Sequence, residues 1–180
     1  MRIPAKTACQ LPSGVTSRVD KPVSSDKLLR KGALVVNFFR GGWCPHSSLE
    51  LRSLQRSLEK YARAGASLIA VAPQTVDISR ATAKENSLRY PVLSDYRSRV
   101  AEAFGLMFEL PEYLSDVYKE IGLNLPGFSG DDRWVLPMPA RYVIGRSGII
   151  LYSEVNPDHT RRPEPDEIIP VLEQAKLRGS

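Results

Sequence analysis

The alternation of apolar and polar positions divides the chain into segments that predict strands and helices in turn. An apolar run at 33–39, broken only by Asn37, is typical of a strand buried on both faces. From Pro45 onward apolar residues recur every third or fourth position, which predicts an amphipathic helix ending before Gly65. The apolar run at 67–72 predicts a second buried strand. These elements form a βαβ unit, which implies two parallel strands and a right-handed crossover.

The rest of the pattern predicts more helices and strands around that unit. Short helices are predicted at 24–30, 79–88, 97–104 and 111–118, and strands at 90–93, 141–145 and 149–153. Residues 11–15 suggest a strand and turn, whereas 123–136 carry Gly, Pro, Asp and Asn and predict an irregular loop. A terminal helix from Asp166 contains Pro170, which indicates a kink or a late start. The strands at 141–145 and 149–153 predict an antiparallel hairpin, so the sheet is mixed with helices on both faces.

Length and composition limit the classes of protein. We expect residues 1–180 to form a single domain, with 1–20 as a peripheral N-terminal segment. No apolar run approaches the ~18 residues that span a bilayer, and no secretory apolar segment opens the chain, so we predict no membrane association and a cytoplasmic location. The net charge of +5 is spread over helices that also carry Glu, and no motif interleaves aromatics with it. Nucleic acid is therefore not predicted as a partner.

The chain has few residues that could bind a metal or form a disulfide. Cys9, Cys44, His46 and His159 show no paired ligand spacing, so neither a metal nor a cofactor is predicted. A disulfide between the two cysteines requires the N-terminal segment to fold back over the rest of the chain. A low cysteine count in a cytosolic protein favours a reactive thiol instead.

Cys44 lies where the predicted strand turns into the predicted helix. Unpaired N–H groups and the positive end of the dipole at a helix N-terminus stabilise a thiolate, and Pro45 suits the first helical position. Trp43 is expected to pack and shield the thiol. His46 is expected to be exposed, with assistance to proton transfer as the alternative. Ser47 is expected to cap the helix or hydrogen-bond near its start.

Six motifs occur in a set order along residues 20–178 and resemble one known family. They are Phe39-Arg40-Gly41-Gly42-Trp43-Cys44-Pro45, Leu49-Glu50-Leu51-Arg52, Ala72-Pro73-Gln74-Thr75, Pro91-Val92-Leu93-Ser94-Asp95, and the segments 136–144 and 156–162. The chain resembles the thioredoxin fold and, within it, the peroxiredoxin-like branch of the alkyl hydroperoxide reductase/thiol-specific antioxidant superfamily. The resemblance implies an α/β fold with a central mixed sheet flanked by helices, preceded here by an N-terminal extension.

The resemblance also implies a thiol-dependent peroxidase, an antioxidant oxidoreductase whose single nucleophilic cysteine, Cys44, is oxidised by a peroxide to a sulfenic acid. Arg40 and Arg141 are candidates to hold the peroxide and favour the thiolate, with surface placement as the alternative. Pro139 falls where such proteins place a cis-proline facing the cysteine. The predicted substrate pocket comprises Gly41, Gly42, Trp43, Pro45, His46, Ser47, Gln74 and Pro139.

Three departures from the family pattern keep other functions open. Peroxiredoxins carry Pro and Thr where this chain has Asn37 and Gly41, and many members of the branch carry a second cysteine where it has Ser47. Serine cannot resolve a sulfenic acid, so the reductant is expected to be an external thiol of the thioredoxin or glutathione type. Cys9 is a weaker candidate for the resolving cysteine. A homodimer is a further expectation. The alternatives are thiol–disulfide exchange with small thiols or disulfides, a repurposed member of the family, and a redox-inactive binding protein.

Overall fold

The structure, a computed structural model, describes residues 23–179. The predicted peripheral segment 1–20, the element at 11–15 and Cys9 therefore lie outside the described residues. The described helices are α1 (Ser25–Leu29), α2 (Pro45–Arg63), α3 (Val76–Glu85), α4 (Arg99–Ala103), α5 (Glu112–Glu120), α6 (Leu125–Ser129) and α7 (Ile169–Arg178). The strands are β1 (Leu34–Phe38), β2 (Ser67–Ala72), β3 (Val92–Ser94), β4 (Met107–Glu109), β5 (Val135–Pro137), β6 (Ala140–Ile144) and β7 (Ile150–Val155).

A mixed sheet of five strands forms the centre, in the order β3-β2-β1-β6-β7. Strands β1, β2 and β3 are parallel, whereas β6 runs antiparallel to β1 and pairs with β7 as a hairpin. The predicted βαβ unit, hairpin and mixed sheet are confirmed. In this register Asn37 lies opposite Arg141, which places two polar side chains in the middle of an otherwise apolar sheet.

The sheet is covered on both faces because its central strands carry apolar side chains on both of them. The residues of β1 alternate between the two faces: Val35 packs with Leu51, Leu54 and Tyr61 of α2 and with Leu172 of α7 on one side. Leu34, Val36 and Phe38 pack with Val100 and Ala101 of α4 and with Tyr142 on the other. The apolar stripe of α2 thus fixes this helix on the sheet, and with it the position of its first residue.

Prolines, glycines and capping side chains determine where the helices begin and end. Pro45 occupies the first turn of α2, and Gly65, with a φ of +75°, follows its last residues as predicted. Helix α3 begins at Val76, three residues before the predicted start, because the Thr75 side chain caps it. A 3₁₀ turn at Pro165–Ile168 precedes α7, and Pro170 lies in the first turn of that helix. Of the two alternatives for Pro170, the late start is therefore correct.

The prediction of an irregular loop over 123–136 is wrong. The segment contains α6 and β5, and β5 pairs antiparallel with β4 in a separate two-stranded sheet. Asn124 caps α6 by accepting the Gly127 N–H, and Gly130, at a φ of +66°, ends it. Gly, Asn and Pro here serve as helix caps and starts rather than as loop residues. Among residues 23–179 no helix has the length and apolar character to cross a bilayer.

Candidate active site at the start of helix α2

Cys44 is the N-cap residue of α2, with the extended backbone (φ −89°, ψ 118°) that this position requires. Its N–H donates to the Gly41 carbonyl at 3.1 Å, which closes a tight turn before the helix. The side chain makes no capping hydrogen bond, and the residue is only 2% exposed. The thiol thus stands at the helix N-terminus, as predicted, but under a cover of protein atoms.

Two glycines let the turn pass close to its neighbours. Gly41 has a φ of +148°, and a Cβ there would come within 2.4 Å of the Trp43 indole nitrogen. A Cβ at Gly42 would come within 2.3 Å of the Thr82 hydroxyl. A threonine at position 41, as in the family pattern, is therefore incompatible with the observed placement of Trp43.

Gln74 fastens this turn to the rest of the fold. Its Oε1 accepts the Gly42 N–H at 2.9 Å, and its Nε2 donates to the hydroxyls of Ser79 and Thr82 at 3.2 Å. Gln74 follows β2, while Ser79 and Thr82 belong to α3. The predicted pocket residue Gln74 is thus buried, and its contacts hold the backbone of the turn.

A buried cation lies four residues before the cysteine. Arg40 is 5% exposed, and its Nη2 donates to the Tyr118 hydroxyl. Its guanidinium lies 5.0 Å from the centre of the Trp43 ring. Arg40 forms no ion pair with a carboxylate of residues 23–179, and its Nε has no hydrogen-bond partner there. Trp43 and Tyr118 also pack with the small apolar cluster around Leu125, so Trp43 is a packing residue, whereas its shielding of the thiol stays a prediction.

Arg141 is committed to other partners. Its guanidinium pairs with Glu50 at 3.1 Å and donates weakly to the Asn37 side chain at 3.4 Å. Further bonds go to the carbonyls of Pro163 and Glu164, and no hydrogen bond joins it to Cys44. The peptide bond before Pro139 is trans, since no cis bond occurs between residues 23 and 179. The expected cis-proline is therefore wrong.

Glu50 and Arg162 form a buried charge cluster with Arg141 that sequence reasoning missed. Glu50 Oε2 accepts from Arg162 Nε at 2.8 Å while Oε1 faces Arg141. In the sequence, Glu50 and Arg162 are distinguished only as members of the family-like motifs at 49–52 and 156–162. Two guanidiniums on one carboxylate leave a net positive charge beneath a cavity of about 280 Å³ beside α2.

Two histidines meet at the mouth of the site. His46 is exposed, as expected, and its ring centre lies 5.6 Å from that of His159, edge to face. Partial burial, then the positive charges of Arg40, His46 and Arg162, lower the pKa of His159 below its usual range. The contact between the two rings places the segment after β7 against the start of α2.

Ser47 is fully buried, and its hydroxyl has no hydrogen-bond partner within the described part of the chain. The expectation that it caps or hydrogen-bonds at the helix start is wrong, because Cys44 occupies the capping position. Pro45, the remaining predicted residue, is exposed in the first turn. Residues 23–179 contain no group of three His, Cys, Asp or Glu side chains arranged to hold a metal ion.

A mixed sheet of this topology, with a helix that begins directly after the turn that follows β1, is the architecture of thioredoxin-like proteins. The AhpC/TSA family model matches residues 7–153, and the chain belongs to that family. It is therefore an oxidoreductase of the peroxiredoxin-like class, whose members act on peroxides and are reduced by thiols. Among curated proteins none matches the chain by sequence.

Solved structures agree on the fold. Peroxidoxin BcpB from Mycobacterium tuberculosis superposes with a TM-score of 0.68 at 17% identity, over 91% of this chain and 90% of that one. AhpC from Enterococcus faecalis gives 0.69 at 19% identity, over 93% and 90%. A cysteine-to-serine mutant of PrxQ from Xylella fastidiosa gives 0.70 at 15% identity, over 98% and 96%. The predicted thioredoxin-like α/β fold is confirmed.

Proposed function

We propose that this protein is a thiol-dependent peroxidase in which Cys44 is the attacking thiol and an external thiol regenerates it. The observation that carries the proposal is the position of Cys44 at the N-cap of α2, four residues after the buried Arg40, which has no carboxylate partner among residues 23–179. A buried cation without a counter-ion favours an anion beside it. The helix N-terminus acts in the same direction.

Buried donors supply the hydrogen bonds that the missing threonine would make. Asn37 Nδ2, Arg40 Nε and Ser47 Oγ all lack a partner in the described chain. All three belong to the segment from β1 to the first turn of α2, which also carries Cys44. A buried donor without an acceptor costs stability, so an acceptor in the working state is the simplest account of them. We assign the peroxide oxygens to that role.

The reaction follows from these parts. The Cys44 thiolate attacks one peroxide oxygen, the O–O bond breaks, and the other oxygen leaves as an alcohol or water after taking up a proton. Cys44 becomes a sulfenic acid. Ser47 stands where a second thiol would resolve it, so reduction requires a thiol from outside the chain.

Gly41 favours a second candidate, thiol–disulfide exchange with small molecules. It removes the hydroxyl that aligns a peroxide in the family pattern while leaving the helix N-terminus and the thiol in place. A mixed disulfide captured at Cys44, without peroxide consumption, would select this candidate. A homodimer and a cytoplasmic location stay predictions, to be measured by light scattering and cell fractionation.

The decisive experiment compares hydrogen peroxide consumption by the unaltered protein, by Cys44→Ser and by Cys9→Ser. Cys9 and Cys44 are the only cysteines in the sequence, so Cys9→Ser is the matched control. We expect Cys44→Ser to lose activity and Cys9→Ser to keep it. Intact mass after mild peroxide treatment should show one added oxygen that depends on Cys44. Equal rates in the unaltered protein and Cys44→Ser would overturn the proposal.

A further inference from the structure

A groove beside the active-site turn has the shape and charge of a binding site. Its volume is about 280 Å³, and it lies between α2 and the segment 160–165. We call it the arginine groove and define it by His46, Arg52, Ser53, Arg56 and Arg162. At ~1.5 Å of rise per residue it extends ~15 Å along α2, from His46 to Arg56. The His46 end is two residues from Cys44.

Its positive charge is not neutralised by the residues that the structure describes. Four guanidiniums and two carboxylates line the groove. Glu50 is shared between Arg141 and Arg162 at its base, so that cluster keeps a net positive charge. Arg52 is bonded to the Asn86 amide and Arg56 to the Ser53 hydroxyl, and neither forms an ion pair within residues 23–179. The two exposed guanidiniums are thus available to an anion.

We propose that the arginine groove binds the carboxylates of a small anionic thiol, the reductant of Cys44. This inference rests on the proposed peroxidase function. Guanidinium groups bind carboxylates with paired, charge-assisted hydrogen bonds, which explains the excess of arginine. The volume lies at the small end of ligand sites, which suits a small molecule.

The reduction of Cys44 by this thiol takes two balanced steps. Arg52 and Arg56 hold the carboxylates of the ligand, and the groove runs from them to His46, two residues from Cys44. The first thiol attacks the sulfenic sulfur, a mixed disulfide forms, and the hydroxyl leaves as water with the proton of the thiol. A second molecule attacks the mixed disulfide, which releases the oxidised disulfide of the reductant and returns Cys44 to the thiol.

The test compares mercaptosuccinate, with two carboxylates, and 2-mercaptoethanol, with none, as reductants of hydrogen peroxide. The measured quantity is the ratio of kcat/KM for mercaptosuccinate to that for 2-mercaptoethanol. Arg56→Gln should lower this ratio by about ten- to a hundredfold, the size expected for one hydrogen bond to a charged group. Arg80→Gln, an exposed arginine of α3 outside the groove, is the matched control and should leave the ratio unchanged.

Binding is measured separately from turnover. The S-methyl derivative of mercaptosuccinate, titrated into Cys44→Ser protein, should shift the NMR signals of His46, and Arg56→Gln should weaken that binding. An unchanged kcat/KM ratio or unchanged binding in Arg56→Gln overturns the assignment. An effect of Arg56→Gln on kcat/KM that depends on the charge of the hydroperoxide, and not on the charge of the thiol, overturns it as well. If no thiol supports peroxide consumption, the proposed function fails. The titration alone then shows whether the arginine groove binds the ligand.

Discussion

Gln74 Oε1 accepts the Gly42 N–H at 2.9 Å, and this bond joins the cysteine turn to the end of β2. The turn has few other fixed points, because Gly41 and Gly42 carry no side chains and the Cys44 side chain makes no capping bond. Gln74 is itself held by two hydroxyls of α3. The position of the thiol relative to the sheet therefore depends on a glutamine 30 residues further along the chain.

We predict that Gln74→Leu destabilises the protein by about 1–3 kcal/mol, because the half-buried Gly42 N–H loses its acceptor and the Ser79 and Thr82 hydroxyls lose a donor. The free energy of unfolding, from urea denaturation, measures this. Gln174→Leu, at an exposed position of α7, is the control and should change it by less than about 0.5 kcal/mol. Similar effects in the two variants would show that the Gln74 bonds contribute nothing.

Glu50 is the next residue whose replacement should be costly. Its carboxylate faces Arg141 at 3.1 Å and Arg162 at 2.8 Å in a buried setting. Glu50→Gln leaves both guanidiniums without a counter-charge, and we expect a loss of about 3–5 kcal/mol of unfolding free energy. Glu59→Gln removes an exposed partner of Arg89 and should cost less than about 1 kcal/mol in the same urea experiment. A loss as small as that of Glu59→Gln would contradict the prediction.

The lowered pKa of His159 gives the stability a pH dependence of known sign. Because the folded state holds this proton more weakly than the unfolded chain, the contribution is complete above about pH 6.5 and is lost as the pH falls toward the folded-state pKa. Burial raises the pKa of Asp95, which acts in the opposite sense. The difference between the unaltered protein and His159→Asn isolates the histidine.

We expect His159→Asn to lose less stability than the unaltered protein between pH 7.5 and pH 5, measured by urea midpoints. In the unaltered background, His46→Asn should raise the pKa of His159, read from its NMR titration, because a neighbouring positive charge is removed. Parallel pH profiles for the unaltered protein and His159→Asn would refute this account.

The sequence predicts most of the central fold because its signals there are local. Buried strands, the period of α2 and the proline at its start are each encoded within a few residues, and so is the place of Cys44. The partners of Arg141 and Gln74 are not encoded in this way. They depend on which elements become neighbours in the fold. Glu50 and Arg162, for example, are 112 positions apart in the chain, so no local pattern predicts their contact. The prediction for the segment 123–136 is wrong for a different reason, because Gly, Asn and Pro are common both in loops and at helix caps.

Ser47 offers a direct test of the proposal that the site depends on an external thiol. It lies in the first turn of α2, three residues after Cys44, and is buried with a hydroxyl that finds no partner in the described chain. Ser47→Cys should therefore fold with an unfolding free energy within about 1 kcal/mol of the unaltered protein. A thiol at this position completes the Cys-X-X-Cys spacing of dithiol enzymes.

After peroxide treatment, we expect the introduced thiol to attack the Cys44 sulfenic acid, forming a disulfide and releasing water. Intact mass should show the loss of two hydrogens in place of the added oxygen, and dithiothreitol should then support turnover better than a monothiol. Ser53→Cys, about 13 Å along the same helix from Cys44, is the control and should keep the added oxygen. If Ser47→Cys also keeps the added oxygen, the side chain at position 47 does not reach Cys44.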